Sequence, residues 1–383
     1  MLHLIFSMPC LYVLIRFVAP LPWPLSMRIV LGAVMLIASQ YHLWCRLSSG
    51  SVFSPEFPRP LVLLFNWAFG AILLFAAMLI VIDLGSLIVA VARQRMAPVP
   101  MPLRYVAAGI AGILAAIGVA QAARLPPVRD LTVEIVNLPP AFDGYRIVQL
   151  TDLHISRLFP QPWARAVVQR TNALDADLIV VTGDFIDGSV AARTRDVAPL
   201  RDLAAPDGTW FIPGNHEYFF GYEAWMRRLT GLGLRPLVNS HTVLRRGTDK
   251  LVLAGLTDLS ASETGNAPPD LNAALANAPS NVAVLLLDHQ PKHAPEAARK
   301  GVALQLSGHT HGGMIRGLDR IIAMANGGYV SGLYDVSGMN LYVNNGTALW
   351  PGFALRLGVG SELTRITLRP KGTANLLGVP REE

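Results

Sequence analysis

Two histidines one residue apart sit in "SGHTHGGM" (307–314), directly after the apolar run "VALQL" (302–306). Imidazoles and near-bare backbone at the end of a buried-looking strand fit a small charged group better than packing. Glycine lets the chain approach such a group closely, and imidazole nitrogen can ligate it. Four other apolar runs end alike. "RIVQL" leads into "TDLH" with Asp152 and His154, and "DLIVV" into "TGD" with Asp184. "TWFIP" leads into "GNHE" with Asn215 and His216, and "VAVLLL" into "DHQ" with His289. Five of the nine histidines fall in these endings.

All these donors are nitrogen or oxygen, and both cysteines, Cys10 and Cys45, lie elsewhere in the chain. Such a set suits Mn, Fe or Zn, with Mn favoured. Seven candidates (Asp152, His154, Asp184, Asn215, His289, His309 and His311) exceed what one ion takes and suit two ions sharing a carboxylate. Two ions about 3.5–4 Å apart would orient a phosphoryl group and neutralise its attacking and leaving oxygens. Singly, several of these residues read as structure. Asp184 could cap a helix, and His289 after its apolar run could be a packed core histidine. The ordered set is a polar cluster. His3, His42, His241 and His293 have no such company and are read as structural. Tyr218 and Arg157, close to the motifs, are read as solvated loop residues.

Positioning these residues requires alternating strands and helices. From "RLPPVRDLTVEIV" onward, short apolar runs ("TVEIV", "YRIVQL", "LIVV", "TWFIP", "LVLAGL", "VAVLLL", "VALQL", "LYVNNG", "LTRITL") alternate with helical stretches at 162–174, 222–231 and 291–300. In α/β sheets, loops beyond the carboxyl ends of strands converge on one crevice, and these five endings deliver their donors there. The expected organisation is a helical region over 1–124, a linker at 125–130, an α/β domain over 131–370 and a tail at 371–383.

The first third differs. Hydrophobic residues make up 52% of the chain and mean hydropathy is +0.40. A bilayer crossing needs about 20 apolar residues. Segments near 2–20, 27–45, 61–92 and 103–123 qualify, giving about four expected transmembrane spans, the third a single overlong helix. Trp23, Trp44 and Trp67 fall near span ends, where interfacial anchors are common. Residues 1–124 hold 8 Lys/Arg against 2 acids, while the remaining 259 residues carry 24 of each. The basic balance thus belongs to the membrane end, and a neutral α/β domain argues against a nucleic-acid partner. The densest basic cluster, "RQRMAPVPMPLR" (93–104), would stay in the cytoplasm and put the α/β domain on the extracytoplasmic side.

The ordered motifs "DLH" (152–154), "GD" (183–184), "GNHE" (214–217), His289 and "GHTH" (308–311) resemble the calcineurin-like metallophosphoesterase superfamily over roughly residues 130–370. Within it, "LPPAFDGYRIVQLTDLHIS" and "SGHTHGG" resemble bacterial membrane-anchored members of the plasma (inner) membrane. Some of these act on phosphodiesters or on a nucleotide-linked lipid A precursor. The resemblance implies a two-sheet αββα sandwich. It implies one metal on Asp152, His154 and His311, a second on Asn215, His289 and His309, and Asp184 bridging. His216 would stand off the metals and act on the phosphoryl group, together with Asn215 and Asp184. Met314, where relatives often carry a polar residue, and "VGSEL", in place of a common Pro-Glu, depart from the pattern and bear on substrate rather than metals.

The expected activity is metal-dependent hydrolysis of a phosphodiester or pyrophosphate, with proximity to the lipid bilayer favouring a lipid- or envelope-linked phosphoester substrate. Two alternatives remain: a tethered phosphomonoesterase acting on soluble substrates, and a non-catalytic membrane sensor or transporter, for which Asp83 and Arg16 would be the functional charges.

Overall fold

The computed structural model describes residues 2–372, with side chains from Ser7 onward, so most of the tail expected at 371–383 lies outside the described residues. The chain divides into two compact units. One ends at Arg124 and takes in Trp350–Leu357; the other runs from Leu125 to Leu349 and resumes at Gly358.

In the helical unit, α1 (Leu2–Val13) runs into a π-helical turn, Leu14–Val18. Helices α2 (Leu25–Ser39) and α3 (Tyr41–Ser49) meet at a 53° bend. Helix α4 (Arg59–Arg93) is one continuous 35-residue helix, and α5 (Met101–Ala123) has 23 residues. Among the described residues, α4 and α5 are long and apolar enough to cross a membrane, and the bent pair raises the number to three if it counts as one span. Among the described residues the first expected span is matched by a shorter apolar helix, Ser7–Val18, so the expected four spans are not confirmed. Asp83 on α4 accepts two hydrogen bonds from Arg16 at 2.7 Å and one from the Tyr12 hydroxyl.

The segment Trp350–Leu357 is built into this unit. Asn66 of α4 donates to Pro351 O at 2.9 Å and accepts from Ala354 N at 2.6 Å. The Tyr41 hydroxyl also donates to Pro351 O, at 2.9 Å. Leu355 lies where a side chain at Gly70 would be, since a Cβ there would stand 2.5 Å from Leu355 Cδ1.

The second unit is an α/β sandwich of two mixed six-stranded sheets. The strands are β1 (Val128–Ile135), β2 (Arg146–Leu150), β3 (Leu178–Thr182), β4 (Thr209–Ile212), β5 (Arg235–Pro236), β6 (Ser240–Arg246), β7 (Asp249–Gly255), β8 (Val284–Leu287), β9 (Leu304–Ser307), β10 (Gly332–Val336), β11 (Met339–Val343) and β12 (Leu363–Pro370). The first sheet has the order β1-β12-β2-β3-β4-β5 and the second β10-β11-β9-β8-β7-β6. Strand β1 begins at Val128, inside the stretch expected to be a linker.

Strand alternation makes three apolar layers, because successive side chains face opposite sides of a sheet. Ile147 and Val180 meet Leu285, Leu287, Leu304 and Leu306 between the sheets. Their neighbours Val148, Ile179 and Val181 face outward, onto α6 (Gln161–Asn172) and a later helix, Tyr222–Thr230, that supplies Trp225 and Leu229. Helix α6 buries Ala164, Val167, Val168 and Thr171, the i, i+3, i+4, i+7 stripe of a surface helix. Leu286 and Val252 face the opposite way, onto Leu271, Ala294 and Ala297. Strands β2, β3 and β4 run parallel, as do β7, β8, β9 and β11. The carboxyl ends of β2, β3 and β4 are therefore aligned on one edge of the first sheet, and those of β8 and β9 on one edge of the second.

Candidate metal centre

The two edges bring all seven expected donors together. Asp152 and His154 follow β2, and Asp184 follows β3. Asn215 opens a five-residue helix after β4, His289 follows β8, and His309 and His311 follow β9. Five of them take up left-handed backbone: Asp152, His154, Asp184, His309 and His311 have φ between 41° and 68°. For residues with a Cβ that region costs on the order of 1–2 kcal/mol each. The backbone also comes very close here. A Cβ on Gly308 would stand 2.1 Å from Thr151 Oγ1 and 2.4 Å from Asp152 Oδ2.

Two groups of donor atoms form, each within 4.8 Å: Asp152 with His154 and His311, and Asp184 with His289 and His309. His154 Nε2 faces His311 Nε2 at 3.3 Å, and His311 Nε2 lies 3.6 Å from Asp152 Oδ1. In the second group Asn215 Oδ1 lies 3.1 Å from His289 Nε2 and 2.9 Å from His309 Nδ1. Asp184 Oδ2 lies between them, 3.8 Å from His154 Nε2 and 3.3 Å from His289 Nε2. Two ligands at about 2.1 Å from one ion, at tetrahedral or octahedral angles, are themselves ~3.0–3.4 Å apart. Three of these six pairs fall in that range and the others lie within about 0.4 Å of it, so the donor set fits two divalent cations with Asp184 between them.

The surrounding groups orient the donors. His154 Nδ1 is 3.0 Å from Asp187 Oδ2, and His289 Nδ1 is 2.7 Å from Thr182 O, which turns each Nε2 toward the cluster. Asp187 is a residue that the motif reading missed. Its other oxygen lies 2.6 Å from His216 Nδ1, so one buried carboxylate holds both imidazoles. The signal was present as "GDFID", an acid three residues beyond Asp184. Glu217, inside a recognised motif but assigned no role, accepts from Gly214 N (2.7 Å), Asp184 N (3.0 Å) and Phe185 N (2.8 Å). It ties the β3 and β4 endings together.

His216 donates its backbone N–H to Asp184 Oδ1 at 2.9 Å, and its Nε2 stands 3.9 Å from Asp184 Oδ2. With His154 and Asp184 it forms a third group within 4.8 Å, so distance alone does not set it apart from the ligands. Burial disfavours its charged form, but Asp184 and Asp187 outweigh burial and push its pKa up to about 9. Burial and Asp184 push Glu217 up to about 8. Burial and the neighbouring His289 push His309 down to about 3. Asp187 is held below its ordinary value: burial opposes this, but His154 and His216 prevail.

Tyr218 departs from expectation. It is buried and stacked on Tyr222, ring centroids 4.5 Å apart, rather than solvated. Arg157 is exposed, in line with a loop residue.

A two-sheet α/β sandwich with clustered histidines and carboxylates at its strand ends defines a metallophosphoesterase domain. A calcineurin-like phosphoesterase family model matches residues 145–313. Over 245 residues the chain is 34% identical to the metallophosphoesterase YkuE of Bacillus subtilis, covering 62% of this chain and 84% of that protein. It is 33% identical over 269 residues to a protein of Danio rerio named "Transmembrane protein with metallophosphoesterase domain", covering 68% of this chain and 61% of the relative. A Bos taurus protein of the same name is 34% identical over 270 residues, covering 67% of this chain and 60% of the relative. This chain thus spans about three fifths of the length of these two vertebrate relatives. The chain belongs to the calcineurin-like metallophosphoesterase family, and metal-dependent phosphoester hydrolysis is that family's activity.

Proposed function

We propose that this chain is a membrane-held phosphoesterase that hydrolyses a phosphodiester or pyrophosphate bond, with a lipid- or envelope-linked phosphate as substrate. The observation that carries the hydrolase reading is the convergence of seven donors, Asp184 among them, in two adjoining groups, with His216 beside them and pinned by Asp187. Asp152, His154 and His311 would hold one divalent ion and Asn215, His289 and His309 a second, with Asp184 shared between them. Mn is the favoured occupant. When bound, such a pair activates water as a nucleophile and neutralises charge on the phosphoryl oxygens.

The chain's own groups supply the rest. Water oxygen bonds to phosphorus in line as the bond from phosphorus to the leaving oxygen breaks. His216, held through Nδ1 by Asp187, gives its Nε2 proton to that oxygen. The proton lost by water passes to solvent or returns to His216. Asn215 and Asp184 border the same space and fix the phosphoryl group's orientation.

Membrane attachment rests on α4 and α5 and on the similarity to the vertebrate transmembrane proteins named above. Counting the bent pair and the short α1 element as crossings gives four. The Arg93, Arg95 and Arg104 cluster favours a bacterial inner-membrane topology with that loop in the cytoplasm and the catalytic domain outside.

Turnover of bis-4-nitrophenyl phosphate against 4-nitrophenyl phosphate, with Mn supplied, tests the bond type. Diester preference is expected, and monoester preference would replace the reading with a phosphomonoesterase. His216→Ala should retain metal and lose roughly 10²–10⁴-fold in kcat. Loss of metal from that variant would remove His216 from its proposed role.

A further inference from the structure

One aromatic side chain beside His216 belongs to neither the metal cluster nor a core. Asn215 and Phe219 are the first and last residues of the helix Asn215–Phe219. At i, i+4 they share a face, so the residue proposed to hold a metal and the phenyl ring are neighbours on one side. The ring of Phe219 lies 5.4 Å from the His216 imidazole at 49°, and Phe220 follows at 6.1 Å and 48°. The imidazole also meets His154 at 4.7 Å, edge to face, and Asp187. His216 is therefore in contact both with the cluster and with two phenyl rings.

Phe219 remains 43% exposed, whereas Tyr218 beside it is buried and stacked on Tyr222. The backbone that carries it is fixed, since Phe220 N donates to His216 O at 3.1 Å. Single exposed phenylalanines are common on protein surfaces and mean nothing by themselves. This one is set apart by packing against the imidazole expected to protonate the leaving oxygen.

We infer that Phe219 is a specificity-determining residue: it forms an apolar wall for the leaving group and selects phosphoesters whose leaving alcohol carries an aromatic or extended apolar portion. The inference rests on His216 as the proton donor. A leaving oxygen within about 2.6–3.2 Å of its Nε2 has its first carbon atoms beside the same ring. Phe219, packed on that imidazole and 43% exposed, offers apolar surface within reach of such a group. A small hydrophilic leaving alcohol would gain nothing from it.

The test uses the Mn-loaded full chain and two ligands differing in one group, phenylphosphonate and methylphosphonate. Titration calorimetry should find phenylphosphonate bound roughly 3- to 10-fold more tightly by the wild type, the size of one aromatic contact. Phe219→Ala should erase that ratio while keeping the same Mn content; an unchanged ratio overturns the inference. A kinetic arm identifies which side of phosphorus Phe219 serves. 4-Nitrophenyl methylphosphonate and 4-nitrophenyl phenylphosphonate share a leaving group, so Phe219→Ala should lower kcat/KM on both by the same factor. A fall confined to the phenylphosphonate ester would place Phe219 against the retained group and overturn the inference. Selective phosphonate binding without ester hydrolysis would support the contact and sink the hydrolase reading alone. Failure of both phosphonates to bind wild type would overturn both.

Discussion

The helical unit and the α/β unit both bury polar side chains among apolar ones, and they satisfy them differently. Asn66, 1% exposed near the start of an apolar helix, gives its amide hydrogens to Val62 O and Pro351 O and takes one from Ala354 N. Asp83 is likewise answered by Arg16 and Tyr12. In the α/β unit, by contrast, His154 Nε2 faces His311 Nε2, and Asp184 Oδ2 faces His289 and His154. Acceptor atoms turned toward one another, with the far sides of His154, His289 and Asp184 already hydrogen-bonded, call for a cation. A buried polar group completed by its neighbours is architecture, and a cluster of like donors pointing inward is a site.

Asp184→Asn attacks that contrast most directly, since it removes the shared charge while preserving shape. Turnover should fall by at least about 10³-fold, in line with several kcal/mol of lost charge stabilisation, and elemental analysis should find metal depleted. Full activity in this variant would end the shared-ligand assignment. Asp187→Ala keeps all seven donors but releases His154 and His216, so metal affinity or rate should drop by about 10- to 100-fold. Unchanged binding and kinetics would reduce Asp187 to packing.

Asn66→Leu probes the other kind of burial. It leaves Ala354 N without its partner, and stability should fall by about 1–3 kcal/mol in thermal unfolding of the detergent-solubilised chain. Its metal content should equal wild type; depletion like that of Asp184→Asn would erase the distinction between the regions.

The smallest effect concerns pH in the metal-free protein. His216 and Glu217 both have folded pKa values above their ordinary ones, about 9 and about 8. Each binds its proton more tightly folded than unfolded, so stability declines as pH rises from about 6.5 through 9. The chelated protein should melt lower at pH 9 than at pH 6.5, and His216→Ala should narrow the gap. A higher melting temperature at pH 9 would reverse the sign and discard the account.

Much of this was readable in the sequence because strand endings are local. An apolar run followed within two or three residues by Asp, His or Asn needs no tertiary information to be noticed, and five such runs mark the site. The 35-residue helix at Arg59–Arg93 was legible for the same reason, as an unbroken apolar stretch. Less legible were strands at sheet margins. "SHTVLRR" and "GLYDV" form β6 and β10, each an edge strand whose half-polar pattern carries little signal. Tyr218 was misread because residues next to a motif look like loop until a partner such as Tyr222 arrives to stack on them.

The chain by itself determined which residue types could bind metal and that the stretches near 61–92 and 103–123 are long and apolar enough for a membrane, because both depend on residue type and near-neighbour spacing. Three outcomes needed the folded molecule: Asp187 grips two histidines at once, Glu217 gathers three backbone N–H groups, and "WPGFALRL" joins the helical unit instead of the sheets that flank it. Each joins residues far apart along the chain, and a one-dimensional pattern holds no record of which distant polar group will complete a buried one.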